Sequence, residues 1–192
     1  GSIASITGDV KLALNLYNQA INAMFLPEDR QAIARCLVWR AGTHRNAGNL
    51  NAAIADAHEA IRLVEDDLSM EKIKAEALRC IGLCQNQQGK THQALEWLHQ
   101  ALAISLSIED KDNAAVIQLG LGVVYESQGD YAKSMAMYQA ALERWRQTDN
   151  TIWLANLLNN LGVLQHITGD YKSAMLSYEQ ALQYAHRSGY TR

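Results

Sequence analysis

Apolar residues recur along the chain at spacings of three and four, and the pattern they make returns about every 40 residues. One apolar column runs Leu14, Ile54, Leu95, Met135 and Met175; another runs Ile81, Leu121 and Leu161. Residues three, four and seven apart share one face of a helix, so each period encodes amphipathic helices and not strands. Polar clusters separate the apolar segments: Pro27-Glu28-Asp29, Glu65-Asp66-Asp67, Glu109-Asp110-Lys111 and Thr148-Asp149-Asn150. The pattern predicts nine helices, at about 9 to 24, 29 to 46, 49 to 64, 70 to 88, 91 to 107, 112 to 128, 131 to 147, 151 to 168 and 171 to 187. The fold class is all-α.

Small residues keep the same period. Glycine stands at Gly8, Gly48, Gly89, Gly129 and Gly169, in steps of 40, 41, 40 and 40. Five residues after each comes Ala13, Ala53, Ala94, Ser134 or Ala174, and seven before come Ala41, Gly82, Gly122 and Gly162. Twelve after each glycine stands Ala20, Ala60, Ala101, Ala141 or Ala181, followed every time by Ile or Leu. Small side chains on one helix face let a neighbouring helix approach closely. Each repeat is therefore a pair of packed helices, and the glycine column ends the first of them in a left-handed turn.

The clearest copies are Leu161-Gly162, Gly169-Asp170-Tyr171, Ala174, Tyr178 and Ala181-Leu182, matched by Leu121-Gly122, Tyr125, Gly129-Asp130-Tyr131, Tyr138 and Ala141-Leu142. This resembles the tetratricopeptide repeat. The resemblance implies an alpha-alpha superhelix, a right-handed solenoid of antiparallel helix pairs. The period exceeds the family's usual length of about 34, which makes both helices roughly one turn longer. The longer unit looks like the repeats of the bacterial maltose-regulon activator and related transcriptional regulators, and like those of kinesin light chains and LGN-type adaptors. Leu157 to Gly162, through Gly169-Asp170-Tyr171 and preceded by Glu143-Arg144-Trp145-Arg146, is most similar to regulators of the antibiotic-regulatory type. The first full repeat departs from the pattern, with Trp39-Arg40-Ala41 in place of Leu-Gly and Ala57 in place of the aromatic.

These boundaries predict one solenoid over 1–192, made of a partial repeat at 3–28 and repeats at 29–68, 69–110, 111–150 and 151–192. Gly1-Ser2 reads as a cloning remnant. Ile6-Thr7-Gly8-Asp9 repeats Ile167-Thr168-Gly169-Asp170, and no polar capping helix follows Leu182. The expectation is a segment cut mid-repeat from a longer array, with uncapped terminal helices that self-associate.

Composition narrows the class. At 192 residues and 48% apolar, a chain buries about 70% of its unfolded surface without disulfides or metal. Three cysteines without framework spacing fit a reducing compartment. No apolar run approaches the roughly 18 residues that span a bilayer, so a soluble, cytoplasmic protein without membrane contact is expected. With 17 basic against 20 acidic residues and no Lys/Arg block, this segment carries no footprint for direct nucleic-acid binding.

Candidate chemistry is sparse. Cys80 and Cys84 lie four apart on one helix but lack further ligands for a metal, and they read as buried thiols. His92 and His99 stand about 10 Å apart along the helix axis, too far to share zinc. The acidic loops precede helices, where negative charge suits the dipole. No phosphate loop, His-Glu-x-x-His or nucleophile elbow occurs, so neither catalysis nor a cofactor is expected. Trp39, Trp97, Trp145 and Trp153 share no column, and any of them could anchor an interface.

The family resemblance puts the first helix of each repeat on a concave face. That face would gather Arg35, Val38, Arg45 and Asn46; Arg79, Leu83, Asn86 and Gln87; Leu119, Val123 and Glu126; and Asn156, Asn159, Val163 and His166. Glu76, Ser127 and Ile167 stand beside them. An apolar floor flanked by amides and arginines suits an extended peptide or partner helix, because amides pair with main chain and arginine grips carboxylate. The function expected is a protein-interaction or effector-sensing segment of a larger cytosolic bacterial transcriptional regulator whose DNA-binding domain lies elsewhere. The alternative is a stand-alone scaffold similar to kinesin light chain or LGN-type proteins.

Overall fold

The computed structural model describes residues 9–24, 29–65 and 67–188. Readings that fall on Gly1-Ser2, Ile6 to Gly8, Pro27-Glu28, Asp66 and the tail from Gly189 lie outside the described residues. The described residues form nine α-helices: α1 (Val10–Asn22), α2 (Arg30–Asn46), α3 (Leu50–Val64), α4 (Glu71–Gln87), α5 (Thr91–Ser107), α6 (Lys111–Ser127), α7 (Tyr131–Gln147), α8 (Thr151–Ile167) and α9 (Tyr171–Arg187). A short 3-10 turn, Leu68–Met70, leads into α4, with Asp67 accepting from the Ser69 amide at 2.9 Å.

Residues up to Asp110 form one compact unit and those from Lys111 a second. In the first unit α2 pairs with α3 and α4 with α5, while α1 packs on α2, α3 on α4, and α2 touches α4. In the second, α6 pairs with α7 and α8 with α9, while α7 packs on α8 and α6 touches α8.

Each hairpin turns on its glycine. At Gly129 φ is +79°, a left-handed conformation in which a side chain is strained. The turn is closed by the Gly129 amide donating to the Glu126 carbonyl at 2.9 Å and the Asp130 amide to that of Tyr125 at 3.0 Å. Asp130 then caps α7, its carboxylate accepting from the Lys133 amide at 3.2 Å, as Asp170 does from Ser173 at 3.1 Å. Glycine and aspartate thus end one helix and begin the next within two residues. The second helices α5 and α7 end in the same left-handed turn without glycine, at Glu109 (φ 56°) and Asp149 (φ 47°).

Within each hairpin a small residue on the first helix meets a large one 16 positions later. A Cβ at Gly122 would overlap the Tyr138 ring, and one at Gly162 would lie 2.5 Å from Tyr178 Cε1. At Gly82 the obstruction is Leu98 Cγ, 2.8 Å away. The first repeat keeps the register with Ala41 and Ala57, both fully buried in one core cluster. The missing glycine and the missing aromatic there are one change: with no ring to seat, alanine fits.

That repeat departs in a second respect. Arg40 replaces the leucine-type core residue, and its guanidinium binds the Asp56 carboxylate through Nε at 2.7 Å and a terminal nitrogen at 2.6 Å. The other terminal nitrogen donates to Asn18 Oδ1 at 2.6 Å, which ties α1, α2 and α3 together. His44 Nε2 lies 4.0 Å from the same carboxylate.

Two stability outcomes follow from these contacts. Gly122→Ala is expected to cost about 1–3 kcal/mol by overpacking, and its cost is expected to shrink when Tyr138→Ala removes the ring, so that the double variant in urea unfolding falls short of the sum. Asp56→Ala leaves a half-buried arginine unpaired and is expected to cost about 3 kcal/mol, whereas Arg40→Leu with Asp56→Leu restores most of that stability.

Candidate functional site

The hairpin contacts occupy one side of each first helix, and the residues expected to meet a partner stand at other positions on it. In the first unit this face belongs to α2 and α4. Arg35, Asn46 and Gln87 are exposed, and Arg45, Arg79, Leu83 and Asn86 are half-buried. Val38 does not belong with them: at 6% exposure it packs in the core cluster with Leu37, Ala41 and Ile81, and its place on the binding face is corrected to a core position. Periodicity marks the side of the helix on which Val38 lies, but the neighbouring helix covers it.

The structure brings the charges of this face together. The Glu76 carboxyl is raised chiefly by burial, against the opposing pull of Arg79, Lys72 and Arg35. Arg79 is lowered by desolvation and by the charge of Arg45. Arg45 donates to Asn46 Oδ1 at 3.1 Å. Lys72 is held by Asp110 at 2.9 Å, so this acidic-loop residue serves as an ion-pair partner. Sequence reasoning passed over Lys72, whose position before the first core turn gave no periodic signal.

In the second unit the face belongs to α6 and α8. Asn156, Asn159 and His166 are exposed, Val123 is 37% exposed, and Leu119 and Val163 are half-buried. His166 meets Tyr171 edge-on with ring centroids 5.2 Å apart. Glu126 is engaged within its own hairpin, where it accepts from the Tyr138 hydroxyl at 3.0 Å. Burial, followed by the Glu126 charge and this bond, pushes the Tyr138 phenol well above its ordinary value.

The tetratricopeptide repeat profile matches residues 73–139 and 113–185, more than half of the chain. The chain belongs to the tetratricopeptide repeat family. No curated protein matches it closely enough to show a nearer relationship. A Rap protein complexed with competence and sporulation factor is similar in structure, with TM-score 0.87 and 16% identity over 96% of this chain and 51% of that one. The Rap conjugation gene regulator of plasmid pLS20, in complex with the Phr* peptide, also gives TM-score 0.87, with 13% identity over 98% of this chain and 52% of that one. BtubC from P. vanneervenii gives 0.75, with 19% identity over 93% of this chain and 74% of that one. At such identities the likeness is one of fold, and this tetratricopeptide chain spans about half the length of the Rap structures.

The remaining candidates separate by burial. Among the described residues no group of three metal-ligating side chains occurs, and no helix is long and apolar enough to cross a membrane. Cys80 and Cys84 are buried. The hydrogen bond from Cys84, aided by Arg45 and Arg79, draws the Cys80 thiol down against the effect of burial. His92 and His99 are exposed. Trp145 is buried and stacks on Trp153 at 5.1 Å, so it is a core residue, whereas Trp39 is 45% exposed. Trp97 meets His58 edge-on at 5.9 Å, beside a cleft of about 460 Å³ that Ile61, Leu78 and Ile104 also line.

The raised Tyr138 value carries a sign. A folded-state value above the unfolded one contributes stability below about pH 10 that is lost as pH rises through the folded value. Urea unfolding between pH 8 and about 11 is expected to show this alkaline loss, and Tyr138→Phe is expected to flatten it.

Proposed function

We propose that the first-helix faces of this tetratricopeptide chain bind a peptide or a partner protein. The observation that carries the reading is α8, where Asn156 and Asn159 stand exposed on the face its hairpin leaves open. Each amide offers a donor and an acceptor to an extended main chain. The solved structures of like fold with Phr* peptide or competence and sporulation factor bound support it. In this reading the chain is non-catalytic and cytosolic, and the side chains from Arg35 to His166 named for this face, less Val38 in the core, supply the contacts.

The finer proposal is an effector-sensing segment of a bacterial transcriptional regulator that acts through a DNA-binding domain elsewhere. The likeness to a conjugation gene regulator favours it. The second reading, a stand-alone scaffold, is favoured by the likeness to BtubC, which is covered over most of its length. The exposed apolar residues of α9, Tyr171, Met175 and Leu182, support self-association through that helix in either case. The reading frame that encodes the chain distinguishes the two: a helix-turn-helix module in the same frame supports the regulator, and repeats alone support the scaffold.

The binding reading is tested on an array of random 12-residue peptides. The purified chain is expected to capture a discrete set, and Asn156→Ala with Asn159→Ala is expected to weaken capture by about tenfold while helicity by circular dichroism stays unchanged. Capture equal in both proteins would remove the face on α8.

A further inference from the structure

The cleft beside Trp97 is lined by none of the residues named for the first-helix faces. In the first unit α3 and α5 are the second helices of successive repeats, and both pack on α4. The cleft between them holds about 460 Å³ and reaches Leu78 of α4, which is 4% exposed. That volume lies within the range of roughly 300–1,000 Å³ usual for small-molecule sites. The sequence explains why the space opens in this repeat. Fourteen residues after the repeat glycine the other full repeats carry Arg62, Glu143 and Gln183, and this one carries Ala103. Eight residues after the glycine they carry Asp56, Met137 and Ser177, and this one carries Trp97. A short side chain thus stands where long ones occur elsewhere, beside an indole that the repeat does not require. That indole is half-buried, packs against the core cluster and meets the His58 ring edge-on at 5.9 Å.

We propose that this cleft binds a neutral, flat aromatic molecule of one or two rings that carries an acceptor oxygen. The walls are aliphatic and aromatic, with Ile61 and Ile104 beside the Trp97 indole, and a flat ring gains from such a surface. A flexible aliphatic chain gains no ring contact and loses more conformational freedom on binding. Polar contact comes from Lys74 and Gln100, and the ammonium of Lys74 has three donors and no acceptor, so it selects an acceptor on the ligand. The charge of Lys74 is already answered by Glu71, one turn earlier at 3.4 Å. An anionic ligand would compete with Glu71 for that ammonium and be repelled by it, whereas a neutral oxygen takes a remaining donor without either cost. The site is independent of the peptide reading.

The test follows the indole Nε1–H resonance of Trp97 in ¹H–¹⁵N spectra of the full chain, assigned by its loss in Trp97→Phe. Coumarin, coumarin-3-carboxylate and octan-1-ol are titrated separately. Coumarin is expected to shift the resonance saturably, and each of the others to bind about tenfold more weakly. Lys74→Met is expected to weaken the coumarin response about tenfold. Ala103 is exposed, so Ala103→Phe fills the cleft without entering the core, and it is expected to abolish the response while helicity by circular dichroism stays unchanged. No saturable response to coumarin, tighter binding of the carboxylate or the alcohol, or a coumarin response that Ala103→Phe leaves intact would overturn the proposal. A Trp97 resonance that moves with protein concentration and not with coumarin would give the cleft to a second copy of the chain, and would overturn it equally. Peptide capture is read on the array through Asn156 and Asn159, so either reading can fail while the other stands.

Discussion

The closest approach of the two helices in each hairpin governs the rest of the structure. At Gly122 and Gly162 the first helix lacks a side chain because a tyrosine ring of the second helix fills the space a Cβ would take. Backbone against ring fixes the separation and rotation of the pair, and the columns of small residues on either side follow from it. The constraint is relational. Where the second helix offers Leu98, glycine is still needed at Gly82; where it offers Ala57, alanine at Ala41 is accommodated. The chain thus keeps a distance between helices, and residue identities shift in pairs to maintain it.

Fixing that side of the helix frees the opposite one. The column Val38, Arg79, Leu119 and Asn159 holds one helical position in four successive repeats, yet its members are aliphatic, cationic, aliphatic and amide. Arg45, Asn86, Glu126 and His166 vary as widely in another. Repeat stability is roughly a sum of hairpin and neighbour terms, so one repeat tolerates a costly group without loss of the array. The unpaired Nε of Arg79 and the ion pair that replaces a core leucine at Arg40 are both of this kind.

Much of this was legible before any coordinates. The helix ends fall within about two residues of those expected from the glycine and Asp/Asn columns, because turn chemistry is local and depends on few atoms. The family was legible for the same reason. Depth was not. Val38 and Arg79 occupy equivalent positions, and nothing in a 40-residue period says that one is sealed into the core while the other reaches partway out. The Arg40–Asp56 pair escaped notice because its members lie 16 residues apart in columns that the pattern assigns to apolar or small residues. The stacking of Trp145 on Trp153 joins successive repeats, a contact that no column records.

The two faces also differ in how their polar groups are employed at home. Glu126 points its carboxylate at the Tyr138 hydroxyl, so the second unit spends its one candidate acid on stabilising its own hairpin. In the first unit the acid, Glu76, is raised by burial against the opposing pull of Arg79, Lys72 and Arg35. The first unit therefore holds its charged groups at depth, whereas Asn156 and Asn159 of the second unit stand exposed with donor and acceptor both open to water.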